Sequence, residues 1–418
     1  MPADSRLRRL AQAALTAALI GLAGCVQNPN SVFHSRTDFN RDVTSLFTII
    51  IVMGTAVFIF TEILLIYAIW RFRAKPGAPR PEQVHGNTKL EILWTVLPAV
   101  VLAVIAVPTV TTIFKTQARA TSDAVQIEVI GHQWWWEFRY PQSGVTTANE
   151  VYMPLGKTID FKLNTVDVIH SFWIPALGGK RDAVYTPNSG WLKYRQSNLW
   201  FTADSTTEDV FNGFCAEYCG TSHANMRFRA MVVSQASFDS WIAQQQKPAV
   251  YSAPAPTPPP APGRRAAAAA PATAAPATAS FIAFDRAKMP AHAVPRTPIP
   301  ASIHYDTTLV GDPVRGATLT ASSSCIACHT IRGVPTMQAK VGPDLTHVGS
   351  RLTIGGGLFP NDAKHLASWI KNSGAMKPGS FMTTLGVGQY DPKSKLTLSF
   401  GLTDQQIADI VAYLQALK

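Results

Sequence analysis

The sequence predicts a multidomain chain: a two-helix membrane hairpin, then an all-β sandwich, then a small all-α domain. Three observations predict this. Two long apolar runs lie near the N-terminus, short alternating β-branched and aromatic segments follow, and a Pro- and Ala-rich stretch separates these from segments with helical periodicity.

The first 24 residues have a basic start and a short apolar stretch ending in small residues, the pattern of an export signal. Leu22-Ala23-Gly24-Cys25 resembles a bacterial lipoprotein processing site, which would leave a lipid-bearing Cys25 as first residue; an ordinary signal is the alternative. The hairpin is assigned to residues 25–118, with spans at 46–70 and 92–114. At 1.5 Å per residue these reach roughly 34 to 37 Å, enough for a hydrocarbon core of about 30 Å. Arg71, Arg73, Lys75, Arg80 and Lys89 fill the loop between them, which places the loop in the cytoplasm and everything after residue 114 outside. The formal charge of +11 therefore reflects membrane topology and a solvated surface, and nucleic acid is not an expected partner.

Residues 119–240 form the expected sandwich; 125–130 and 157–163 alternate as strands do. Residues 241–300 form the expected linker, and 248–280 are nearly all Pro, Ala, Thr and Ser, which cannot bury a core. Residues 301–418 make the helical domain. There Asp312-Pro313 reads as an N-cap with proline at the first helical position, and Thr403 to Gln406 as a capping box ahead of Ile407, Ile410, Val411 and Leu414.

Five cysteines fit a disulfide framework poorly, and each has its own context. Cys215 and Cys219 form a C-x3-C pair in CAEYCGTSHANM, with His223 and Met226 in the same loop, and His170 comes from an earlier segment. Soft thiolates, two imidazoles and a thioether select copper, although C-x3-C alone also occurs in disulfides, zinc sites and copper-delivery proteins. Cys325-Ile326-Ala327-Cys328-His329 is the pattern of covalent c-type haem attachment, which fits an exported helical domain better than a thioredoxin-like or zinc fragment.

At these residues the chain resembles the copper A subunit of cytochrome c oxidase, subunit II, fused to a class I cytochrome c domain as in caa-type haem-copper oxidases. The resemblance implies a cupredoxin-like sandwich holding dinuclear copper A. Cys215 and Cys219 would bridge the metals, His170 and His223 would be terminal ligands, and Met226 and the Glu217 carbonyl would be weak axial ones. It implies Met382 in Lys377-Pro378-Gly379 as sixth ligand of the haem, with Met376 as the rival. Gly131-His132-Gln133-Trp134-Trp135-Trp136 resembles the family's aromatic stretch and gives Trp134 the role of electron entry. Glu91 matches a carboxylate at the mouth of a proton pathway, and Glu217 and Asp182 match positions that help hold a magnesium ion shared with subunit I. Phe214 and the segment 184–198 depart from the family pattern.

The function so implied is electron transfer from cytochrome c or another periplasmic donor, through haem c and copper A, to haem a and the oxygen-reducing site of subunit I. The expected setting is the bacterial plasma membrane, with its lipid, subunit I and subunit III as neighbours. Two other classes are a membrane-tethered copper-delivery or thiol-redox protein and a stand-alone electron carrier.

One outcome follows from the leader alone. Intact-mass analysis of membrane-extracted protein is expected to show a chain beginning at a lipidated Cys25; an unmodified Cys25, or Met1, would end that reading.

Overall fold

The computed structural model describes residues 28–249 and 284–418 apart from 78, 80–82, 84, 187–196, 204–207 and 285, with scattered positions before residue 17. The leader's Cys25, most of the tether and most of the 184–198 segment lie outside the described residues.

Two helices, α1 (Asp38–Arg71) and α2 (Thr88–Gln117), overrun the two apolar runs at both ends. Thr37 caps α1 by accepting from Asn40 N, and Asn87 caps α2 by accepting from Leu90 N. Apolar side chains such as Ile66 and Leu102 point outward, and α2 carries Pro98 and Pro108, features suited to a lipid environment rather than a buried core. Lys115 of α2 pairs with Asp42 of α1 at 2.7 Å, tying the hairpin at its sandwich end.

Ten strands make the sandwich: β1 (Val125–His132), β2 (Trp135–Tyr140), β3 (Val145–Ala148), β4 (Glu150–Pro154), β5 (Thr158–Thr165), β6 (His170–Trp173), β7 (Arg181–Ala183), β8 (Ser197–Thr202), β9 (Asp209–Cys215) and β10 (Arg227–Val233). One sheet runs β3-β2-β1-β5-β8 and the other β4-β10-β9-β6-β7; β1 and β5 pair in parallel, as do β10 and β4. The side-chain period of two sends Trp136 and Phe138 of β2 inward against Phe172 and Phe228 of the facing sheet. Such aromatic packing supplies most of the layer's apolar burial. A helix that the sequence pattern did not disclose, α3 (Gln235–Gln245), closes one end by stacking Trp241 on Tyr152.

The sandwich sits on the hairpin through Thr202 N to Asp38 Oδ1 and Trp200 Nε1 to the Ala118 carbonyl.

In the helical domain, α4 (Pro313–Ser322) crosses α7 (Asp404–Ala416) at close range. A Cβ on Gly316 would stand 2.0 Å from the Asp409 carbonyl oxygen, so only glycine permits the crossing. Arg315 grips Asp409 with two nitrogens, and the capping box at Thr403 and the N-cap at Asp312 are both formed. Two further helices, α5 (Ala363–Lys371) and α6 (Ser373–Met376), complete the domain.

The helical domain is docked on the sandwich. Oε1 of the buried Glu150 accepts from Leu352 N at 2.8 Å, Thr353 N at 2.7 Å and Thr353 Oγ1 at 3.0 Å. Gly356 and Gly357, both in the left-handed region, approach the sandwich closely: a Cβ on Gly356 would stand 3.2 Å from the Asn225 carbonyl oxygen and 3.3 Å from that of Trp134, and one on Gly357 3.1 Å from that of Arg227.

Glu150→Ala would strand two buried amides, a loss of about 2–6 kcal/mol at roughly 1–3 per unsatisfied group. Hydrogen exchange at Leu352 and Thr353 in the full chain is expected to accelerate; exchange unchanged from the parent would show that the contact does not hold the domains together.

Candidate functional site

The copper donors converge at one end of the sandwich. His170 starts β6, Cys215 ends β9, and the loop from there to β10 returns through Cys219, His223 and Met226. Cys215 Sγ and Cys219 Sγ are 3.8 Å apart. His170 Nδ1 lies 3.8 Å from Cys215 Sγ, His223 Nδ1 3.6 Å from Cys219 Sγ, and Met226 Sδ 3.9 Å from Cys219 Sγ. The Glu217 carbonyl oxygen approaches Cys215 Sγ at 3.3 Å. All six expected donors therefore meet at one end of the sandwich, with His170, Cys215, Cys219 and Met226 buried and His223 half-buried, and the set fits soft, closely spaced metal.

Side chains around the donors hold their orientation. Asp167 Oδ1 takes His170 Nε2 at 2.8 Å, which leaves Nδ1 for the metal side, while Asp167 Oδ2 accepts from Gln133 N at 2.6 Å. Burial opposes the Asp167 charge, yet the hydrogen bonds from His170, Gln133 and Val168 keep its carboxyl below the ordinary value. Burial likewise opposes the His170 cation, but Asp167 and Cys215 raise its pKa overall. Gly131 is glycine because a Cβ there would stand 2.5 Å from the His170 ring.

The Cys219 carbonyl accepts twice, from Gln133 Nε2 at 2.8 Å and from Trp134 Nε1 at 2.9 Å. Trp134 thus touches the backbone of a copper ligand. It is only 8% exposed, because Phe381 of the helical domain stacks on it with ring centroids 5.6 Å apart and planes within 7°. Lys377, buried at the same junction, donates to the Trp134 carbonyl at 2.5 Å and to the Gly355 carbonyl at 3.2 Å, and Ser222 Oγ donates to the Pro378 carbonyl.

In the helical domain Cys325 and Cys328 are half-buried beside His329. His329 Nδ1 donates to the Pro343 carbonyl at 2.8 Å, leaving Nε2 free as a ligand atom, and burial lowers the His329 pKa so that the ring is neutral. A Cβ on Gly342 would press 2.7 Å from that ring. These residues fit a covalently attached haem. Met382 is half-buried, whereas Met376 is 5% exposed within the apolar core.

The remaining expected residues lie apart. Glu91 sits in the first turn of α2, at the end of the hairpin remote from the sandwich, where Oε1 accepts from Asn87 N at 3.2 Å. The Glu217 and Asp182 side chains are exposed, Asp182 on β7. Asp167, Gln133, Lys377 and Phe381 were not singled out from sequence. Asp167 carried a signal, standing three residues before a ligand histidine; the other three act through contacts distant along the chain.

Comparison with known proteins matches residues 33–112 to the model of the cytochrome c oxidase subunit II transmembrane domain, residues 142–235 to that of its periplasmic domain, and residues 313–418 to that of cytochrome c. A cytochrome c oxidase subunit 2 from Alkalihalophilus pseudofirmus is 30% identical over 89% of this chain and 86% of that one. One from Bacillus sp. is 31% identical over 83% of this chain and 80% of that one, and one from Cereibacter sphaeroides is 31% identical over 47% and 73%.

Asp167→Asn is expected to weaken copper binding about 10- to 100-fold, the usual effect of losing a group that orients a ligand histidine. Competition against a chelator measures it; parental affinity would show that Asp167 does not orient His170.

Proposed function

The chain belongs to the cytochrome c oxidase subunit II family, and on that premise we propose that electrons reach its haem c domain, cross within the molecule to a dinuclear copper A centre, and leave for haem a in subunit I. The copper-delivery alternative raised by C-x3-C alone falls with that membership, and the chain is a membrane protein carrying a cytochrome c domain. The observation that carries the reading is the convergence of two thiols, two imidazoles, a thioether and a carbonyl within a few ångströms at one end of the sandwich.

When bound, the copper pair and the haem supply one-electron redox chemistry. Cys215, Cys219, His170, His223, Met226 and the Glu217 carbonyl would hold the copper pair, and oxygen would be reduced in subunit I. Cys325 and Cys328 would anchor the haem, and His329 and Met382 would ligate its iron, a His/Met pair that raises its potential. The buried His170, Cys215, Cys219 and Met226 keep water from most of the site, and the strands β6 and β9 that carry His170 and Cys215 would limit how far these ligands move when the charge changes.

The basic loop between α1 and α2 would face the cytoplasm of a bacterium, with the sandwich and haem domain in the periplasm. The hairpin would pack against subunit I, with subunit III as a further neighbour. Glu91 would stand at the mouth of a proton route, and the exposed Glu217 and Asp182 side chains could share a magnesium ion with subunit I. Cytochrome c or a similar small carrier would be the donor.

Met382→Ala is expected to abolish the sulfur-to-iron absorption band of the oxidised haem, while Met376→Ala retains it and costs stability as a core truncation, about 2–5 kcal/mol. The reverse pattern would exchange the two assignments.

A further inference from the structure

An electron leaving the haem domain must cross the junction with the sandwich somewhere, and few groups bridge it on the copper side. Trp134 is the residue nearest to doing so, because its indole N–H is bonded to the carbonyl of Cys219 at 2.9 Å. In this structure Trp134 is not a surface residue. Phe381 lies flat against it, and Gly379 packs on the ring edge, where a Cβ would stand 2.9 Å from the indole carbons. Gly379 has a φ of +83°, so the loop is bent into a conformation that lets its backbone approach the ring.

Phe381 is also 62% exposed, an unusual place for a large apolar side chain, and Lys393 Nζ lies 5.2 Å from its centroid on the same domain. That exposure is what remains with the domains docked, and the ring's stack on Trp134 is its contact across the junction. Phe381 is joined by one peptide bond to Met382, the residue assigned as the haem's sixth ligand. A continuous line results: Met382, the Phe381 ring, the Trp134 ring, the indole N–H, the Cys219 carbonyl and the Cys219 sulfur.

We propose that Phe381 is the group through which an electron passes from the haem domain to Trp134 and on to the copper pair, and that the docked haem domain thereby closes Trp134 to any outside donor. The inference rests on the assignments of Met382 and the copper ligands made above. One electron leaves the haem side and the same electron arrives at the copper side; no bond forms or breaks, and neither ring is oxidised. Outside carriers then deliver to the haem domain alone. A rival bridge exists, since Ser222 beside His223 donates its hydroxyl to the Pro378 carbonyl, and a test must separate the two.

The experiment uses the full chain in detergent with both centres loaded. The haem is flash-reduced and both chromophores are followed in the parent, Phe381→Leu, Phe381→Tyr and Ser222→Ala. Hydrogen exchange at residues 131–136 and 377–382 is measured on the same samples as a report of docking. Phe381→Leu is expected to slow the transfer roughly tenfold or more, the scale on which small losses of positioning act. Phe381→Tyr should restore it, and exchange protection and both spectra should match the parent throughout. Slow transfer in Phe381→Leu with lost protection would make Phe381 an anchor and overturn the relay. Normal transfer in Phe381→Leu with slow transfer in Ser222→Ala would move the path to the hydroxyl bridge and overturn it as well. A parent rate that rises with protein concentration is a different failure: it would remove transfer within one molecule, and with it the reading on which this inference rests.

Discussion

The rest of the structure depends on keeping two cysteine sulfurs 3.8 Å apart in a buried loop without a disulfide between them. Contact with Cys219, then the His170 imidazole and the Ser171 and Glu217 backbone, pull the Cys215 thiol far below its ordinary pKa against the penalty of burial. The same contact and burial push Cys219 up. Two thiolates at this distance repel each other in a poorly solvated site. Cationic metal is the component that would let both sulfurs ionise. The surroundings hold the geometry ready for it: Asp167 on one imidazole, two donors on the Cys219 carbonyl, and the aromatic layer of Trp136, Phe172 and Phe228 behind.

The convergence of the donor side chains was legible in the sequence because four of the five fall within twelve residues of one loop, and the chemistry of sulfur and imidazole narrows the metal they would take. The caps at Asp312 and Thr403 were legible for a similar reason, since capping depends on residues three or four apart. The membrane helices were legible as apolar runs, but each extends past its run, because the caps at Thr37 and Asn87 lie several polar residues ahead of the apolar stretch. Helix α3 escaped notice: its apolar residues Phe238, Trp241 and Ile242 are too few to set a periodicity against the alternating strands before it.

What sequence could not supply is the fit between domains. Gly355, Gly356 and Gly357 all have positive φ; Gly356 seats against Asn225 and Trp134, and Gly357 against Arg227 at the start of β10. Trp134, expected as the point of electron entry, lies under the docked domain, against Phe381 and Gly379. Lys377 could be taken for a surface charge of a Lys-Pro-Gly motif. Instead it is 4% exposed, its amine bonded to two carbonyls, and burial lowers its pKa to about 7. None of these contacts leaves a trace in local spacing, because each partner is more than twenty residues away.

The connection between the domains reinforces that docking. After α3 the chain lies against the haem domain: Ala249 N donates to the Arg332 carbonyl, Arg332 donates back to the Gln245 and Gln246 carbonyls, and the Lys247 carbonyl meets His347 Nε2 at 3.0 Å. On the far side of the segment outside the described residues, it returns to the sandwich, where Arg229 Nε donates to the Ala293 carbonyl at 2.7 Å and His292 Nε2 to that of Val210 at 3.1 Å. Residues 245–249 thus contact the haem domain and residues 292–293 the sandwich, so the chain is held beside the junction on both sides of the segment outside the described residues. A tether fixed at only its two ends sets a local concentration, on the order of millimolar for short flexible linkers. A connection fixed near the junction on both sides goes further and selects one orientation. In that orientation the Met382 loop faces Trp134, so the entropy of arranging the two domains is met during folding rather than at each transfer of an electron.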